Sequence, residues 1–90
     1  MKSIPGHLAA YRRTLEFDQA NVPETWLNPH STKKNVWAKI VVLEGRLRLT
    51  ILSPEEEVIL DPDHPGIVEP RSIHFVTILG IARFYIEFYR

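Results

Sequence analysis

Seven prolines and four glycines cut the 90 residues into short runs, and within several of those runs apolar and polar side chains alternate. Punctuation of this kind favours a set of short strands joined by turns and disfavours a helical bundle. From Arg12 to Gln19, the side chains of Arg13, Leu15 and Phe17 alternate with Thr14, Glu16 and Asp18, which predicts a strand with one covered face. Pro23 to Lys34 holds two prolines, one asparagine and several hydroxyls around one aromatic anchor, Trp26, and is expected to be an irregular loop where a site opens. Val36 to Leu43 is almost wholly apolar and β-branched, so it reads as a strand covered on both faces. Glu44-Gly45 then predicts a tight turn, with Arg46 to Leu52 pairing back as a hairpin.

Three further strands are expected at Ile67–Glu69, Ile73–Leu79 and Ala82–Tyr89, after a short one at Glu57–Asp61 and a rigid Asp61-Pro-Asp-His-Pro-Gly66 turn. The last of them places Phe84, Ile86 and Phe88 on one side. Pro5 to Arg13 is the weak stretch, since Leu8, Ala9 and Ala10 could form one helical turn. Six or seven strands without a convincing helix is the profile of a sandwich or small barrel.

Length and composition narrow the function. Ninety residues suit one domain, here taken as 1–90, and a domain so short leaves much apolar surface near the outside, which favours a homodimer. Eleven basic and eleven acidic residues cancel, so no field draws the chain to nucleic acid or to a membrane surface. The absence of cysteine excludes disulfides, thiolate metal sites and a cysteine nucleophile. The start MKSIPGHLAAYRR lacks the apolar core of a signal sequence and no run is long enough to span a bilayer, so a cytoplasmic location is the expectation.

The segments His30-Ser-Thr-Lys-Lys-Asn-Val-Trp-Ala-Lys-Ile-Val-Val-Leu-Glu-Gly45, Pro65-Gly-Ile-Val-Glu-Pro70 with His74, and Arg83-Phe-Tyr-Ile-Glu-Phe-Tyr-Arg90 occur in an order that resembles the TehB/YeaR-like cupin domain family. The resemblance covers nearly the whole chain. It implies an all-β, single-domain cupin-like β-barrel, the double-stranded β-helix or jelly roll, and a link to tellurite resistance in proteins where the domain can precede a methyltransferase. No glycine-rich strand-to-helix turn for a nucleotide or methyl donor stands in these residues, so the expectation is a chain that is not itself a methyltransferase.

A typical metal cupin supplies two histidines and a glutamate from its first motif and one histidine from its second. Counting back from Gly45, those first-motif positions fall near Thr32 and Lys34 and on Ala38, so the three ligands are absent. His30 has the same strand parity as Thr32, and His74 sits near the second-motif position. Two readings stay open: His30 and His74 hold a divalent metal, zinc, nickel or iron, through neutral imidazoles, or His74 is a buried histidine bonded to a backbone carbonyl. A third ligand is required for useful affinity, and Glu69, Glu87 and Thr32 are the candidates. Thr32, Trp37, Glu69 and Phe84 are expected to line a ligand pocket.

Trp37 equally suits a core or a subunit interface, and Tyr85 and Tyr89 suit a partner surface. Lys33, Lys34 and Lys39 could draw an oxyanion or form a solvated edge. The function expected from these residues is a small binding domain holding a metal, small molecule or oxyanion in a stress response. The alternatives are a metal-dependent dioxygenase- or isomerase-like enzyme and a structural dimer with no metal.

Overall fold

The computed structural model describes residues 2–90. Nine strands and one short helix follow in the order β1 (Ala10–Arg13), β2 (Phe17–Asp18), α1 (Glu24–Leu27), β3 (His30–Ser31), β4 (Trp37–Glu44), β5 (Leu47–Leu52), β6 (Glu55–Leu60), β7 (Gly66–Val68), β8 (Ile73–Ile78) and β9 (Arg83–Tyr89). They form two antiparallel sheets, not the closed barrel expected from the sequence. One sheet runs β1-β9-β4-β7, with β2 also on β9, and the other runs β3-β8-β5-β6.

Pairing joins the first half of the chain to the second as if one long ribbon had been folded over. β5 pairs with β6, β4 with β7, β3 with β8, and β1 and β2 with β9. The sheets are then completed by β4 against β9 and β5 against β8. Residues near the two ends of the chain are therefore neighbours: Ala9 and Arg90 exchange backbone hydrogen bonds of 3.3 and 3.2 Å. That exchange draws the Leu8–Ala10 stretch out straight, in place of the helical turn considered for it.

The expected hairpin at Gly45 is corrected by this topology, because β4 and β5 belong to different sheets. Gly45 turns the corner between them in the left-handed region, φ 79°. A side chain there would run into the carbonyl oxygen of Ile81 and lie 2.9 Å from Ala82 Cα, so both the dihedral and the close approach of the neighbouring corner demand glycine.

Alternation along β4 is sharp: Ala38, Ile40 and Val42 are buried, whereas Trp37, Lys39, Val41 and Leu43 on the other face are half-buried. The strand is therefore covered on one side fully and on the other in part. Its inner residues meet Leu47, Leu49 and Ile51 of β5, Leu60, Val68, Val76, and Phe84 and Ile86 of β9, which together form the core between the sheets. The run 12–19 is not one strand. It breaks after Arg13, leaving Leu15 83% exposed, and resumes at Phe17, whose ring stands edge-on to Phe84 at 5.9 Å. Within the segment expected to be all loop, Pro23 opens the four-residue α1, and Trp26 from that turn packs against the core. No helix among the described residues is long and apolar enough to cross a membrane.

Candidate functional site

His30 opens β3 and His74 is the second residue of β8, and the two stand directly opposite each other in the antiparallel ladder. Directly opposed residues send their side chains to the same face with Cβ atoms about 5 Å apart. Pairing of strands 44 positions apart in the sequence thus brings the rings together, with centroids 4.3 Å apart and planes inclined by 54°. On its other side His74 is paired with Ile51, a core residue, and its own side chain is 1% exposed. The imidazoles therefore occupy the inner face of the β3-β8-β5-β6 sheet.

Each ring is held by the backbone two residues earlier. Nδ1 of His30 lies 3.0 Å from the carbonyl oxygen of Asn28, and Nδ1 of His74 lies 2.8 Å from that of Ser72. A carbonyl only accepts, so each Nδ1 carries the proton and donates it, which leaves a lone pair on each Nε2 in the neutral ring. Both Nε2 atoms are buried and have no hydrogen-bond partner. One unsatisfied buried polar atom costs about 1–3 kcal/mol, so two side by side mark a place where the fold accepts a penalty.

Burial holds the His74 pKa down from 6.5 to about 4, helped by the neighbouring His30 and opposed by the bond to Ser72. The unfolded chain therefore takes up this proton at higher pH than the native one, and stability is complete above about pH 6.5 and declines as pH falls toward 4. The loss expected from this group is of the order of 3 kcal/mol. Urea midpoints measured across that window should fall for the wild type and lose this part of their slope in His74→Phe. Matching slopes in the two proteins would refute the depressed pKa.

Aromatic side chains close the site. The Trp26 ring meets His30 edge-on at 4.8 Å and lies tilted against Phe88 at 6.2 Å. Trp26 thereby bridges the two sheets beside His30, and on its other side it lines, together with Phe17 and Phe88, a cleft of about 450 Å³ that neither imidazole of the pair lines. A larger cavity of about 720 Å³ lies under Lys2–Leu8, beside Lys39, Val58 and His64, and neither imidazole of the pair lines it.

The other residues expected at the site are placed differently. The Thr32 hydroxyl is committed, donating to the carbonyl of Glu69 and accepting from the Ser72 amide at 3.2 Å. The Glu69 carboxylate pairs with Lys2, and that of Glu87 accepts from Arg13 and Tyr89. Trp37 lies on the face of β4 opposite the buried Ala38, so strand alternation turns it away from the interior. Phe84 is fully buried in the core against Phe17. Trp26 and Phe88 take the lining role instead. Their sequence signals were a lone tryptophan in a proline-rich stretch and an inward position on the last strand.

Among the described residues, no three or more His, Asp or Glu side chains gather where they could hold a metal ion. The expected zinc, nickel or iron is thus corrected: the carboxylates proposed as a third ligand are engaged elsewhere, and two imidazoles alone make a weak site.

The TehB-like domain description matches residues 12–86. Over 82 residues the chain is 30% identical to the probable S-adenosyl-L-methionine-dependent methyltransferase TehB of Haemophilus influenzae strain KW20 / Rd, and 24% identical to the protein of the same name from strain 10810. Each alignment covers 86% of this chain but 29% of the relative, so the chain spans less than a third of their length. The crystal structure of TehB from H. influenzae superposes with a TM-score of 0.83 at 29% identity, over 93% of this chain and 32% of that one. A crystal structure of an Escherichia coli K12 protein superposes with a TM-score of 0.92 at 17% identity, over 100% and 97% of the two chains, and speaks for the fold alone.

These relatives correct two expectations. The relatives are named as probable S-adenosyl-L-methionine-dependent methyltransferases, which corrects the expectation of a metal- or ligand-holding stress domain that is not itself a methyltransferase. Those names carry S-adenosyl-L-methionine for the relatives, and no metal-holding cluster is present among the described residues, which corrects the expected divalent metal. With the family match extending from the first strand to the last, the chain belongs to the TehB-like domain family.

Proposed function

We propose that the chain works in S-adenosylmethionine-dependent methyl transfer on the side of the methyl acceptor. The observation that carries this reading is the enclosed imidazole pair with two bare Nε2 lone pairs, set in a domain matched over most of its length to methyltransferases. The described residues do not fit the methyl donor itself. Their helix, Glu24–Leu27, has four residues and follows Pro23 without a side-chain cap, and no glycine-rich strand-to-helix turn precedes it. The donor is therefore assigned to the part of the relatives that lies outside the matched 29%.

Strand order supports a finer reading of the architecture as a cupin-type jelly roll. A five-strand and a four-strand layer built from a ribbon whose halves pair β1 and β2 with β9, β3 with β8, β4 with β7 and β5 with β6 have the double Greek-key connectivity of that class.

A chimera in which this chain replaces the matched segment of H. influenzae TehB tests the functional reading. Transfer of the methyl group from labelled S-adenosylmethionine should persist, and His30→Phe with His74→Phe should raise KM for the acceptor about tenfold or more with the affinity for the donor unchanged. Activity indifferent to both replacements, or a change confined to donor affinity, would sink the proposal.

A further inference from the structure

Lys2 to Leu8 form a strap that pairs as a strand with neither sheet. One end is fixed where Ala9 and Arg90 exchange backbone hydrogen bonds, and the other where Lys2 reaches Glu56 on β6 and Glu69 after β7, at 3.8 and 3.7 Å. Fully extended, these seven residues span at most about 24 Å. The path beneath them is of similar length, because β9, β4 and β7 are neighbours about 4.8 Å apart and the second sheet lies about 10 Å away. The strap therefore crosses the outer face of one sheet, rounds its β7 edge and ends on the other, and the cavity of about 720 Å³ lies under it.

That space has an apolar end and a cationic end. Val58 stands on the inward row of β6 opposite the buried Leu49, yet it is 37% exposed, whereas Leu60 on the same row is fully buried. The strap stands off Val58 and turns Ile4, Pro5 and Leu8, all half-buried, toward the gap. At the other end Lys39 projects from the outer face of β4, with Ile67 and Tyr89 beside it. Its cross-strand neighbour is Glu87, whose carboxylate is taken by Arg13 and Tyr89, and Lys39 enters no ion pair among the described residues. An unpaired ammonium favours an anion, and uncovered apolar side chains favour a hydrocarbon.

We infer that the strap and the two sheet edges form a binding site for a linear amphiphile with one carboxylate, its head at Lys39 and its chain running past Ile67 to Val58 and Leu49. The volume falls within the range of about 300–1,000 Å³ common to small-molecule sites, and a path over three strands and a sheet gap suits an elongated ligand better than a compact one. The two ion pairs of Lys2 are long and partly exposed, so they hold weakly, and the free end of the strap lifts to admit the chain. Neither His30 nor His74 lines the space, and the site does not depend on the methyl-transfer reading.

Decanoate, kept below the concentration at which it forms micelles, is the probe. Added to the full chain labelled with ¹⁵N, it should shift the backbone resonances of Lys39, Val58 and Ile67 saturably and leave those of His30 and His74 in place. Decyltrimethylammonium has a tail of the same length and the opposite charge, and should bind about tenfold more weakly or less still. Lys39→Met keeps an unbranched side chain and removes the charge, and should weaken decanoate about tenfold, the loss of one charge-assisted contact. Val58→Trp should fill the apolar end and abolish binding, with the thermal midpoint reporting that the fold is kept. Lys2→Ala should speed exchange between free and bound forms.

Shifts that do not saturate, equal binding of the cationic amphiphile, or an affinity for decanoate unchanged in Lys39→Met and Val58→Trp would overturn the assignment. So would a dimer in solution whose contact covers Lys39 and Tyr89 and which decanoate does not displace, since that face would then belong to a second copy. Exchange indifferent to Lys2→Ala would remove the strap as the point of entry.

Discussion

Replacing Gly45 with alanine is expected to lower the thermal midpoint by about 12–24 °C, corresponding to about 3 kcal/mol or more for a domain of this size. Two costs combine. A residue with a Cβ pays about 1–2 kcal/mol to adopt the left-handed conformation that Gly45 holds at φ 79°. The added carbon would also overlap the backbone of Ile81 and Ala82, which belongs to the second corner between the sheets and is fixed by β9. Neither backbone can withdraw without disturbing a strand that spans the core. Gly80→Ala is the matched comparison: Gly80 has a similar φ of 85° but nothing within 4 Å of a new Cβ, so only the dihedral cost applies. Equal thermal midpoints for the two variants would show that the close approach at the corner does not matter.

Phe84→Ala should cost about 3–5 kcal/mol, measured as a shift of the urea midpoint at unchanged slope. That is a large share of a total expected at roughly 5–13 kcal/mol for 90 residues. Phe84 is wholly buried, comes from the central pair β4–β9, and meets the ring of Phe17 edge-on. Removing it leaves a cavity that neighbours held in two paired strands cannot close. Phe17 is only half-buried, so Phe17→Ala should cost less, and the double variant should fall short of the sum by about 0.5–1.5 kcal/mol, the share of the aromatic pair. Strict additivity would mean that the two rings do not interact.

Strand alternation in β5 and β9 was legible because one face of each is apolar and the other is not, and a two-residue period admits a single assignment of faces. The buried row Phe84 and Ile86 was visible on that ground. The corner at Gly45 was misread as a hairpin because glycine after an acidic residue marks a change of direction, whatever the next strand pairs with. Arg12 to Gln19 was misread as one strand because alternation persists through Leu15, which the structure leaves exposed where the chain breaks between β1 and β2. Trp37 failed as a pocket wall for a related reason: an apolar strand gives no sign of which face its largest residue will take.

The residues alone determined an all-β chain, the inward rows of its long strands, the absence of thiol chemistry, and two histidines whose parity made them worth watching. Only the tertiary structure decided that His30 and His74 are ladder partners, that their Nδ1 protons go to Asn28 and Ser72, and that no carboxylate joins them. The reason is that side-chain periodicity is a local property of each strand. Sheet membership and register come instead from folding the chain's second half back along its first, and that pairing sets which imidazole meets which and what is left for their lone pairs to bind.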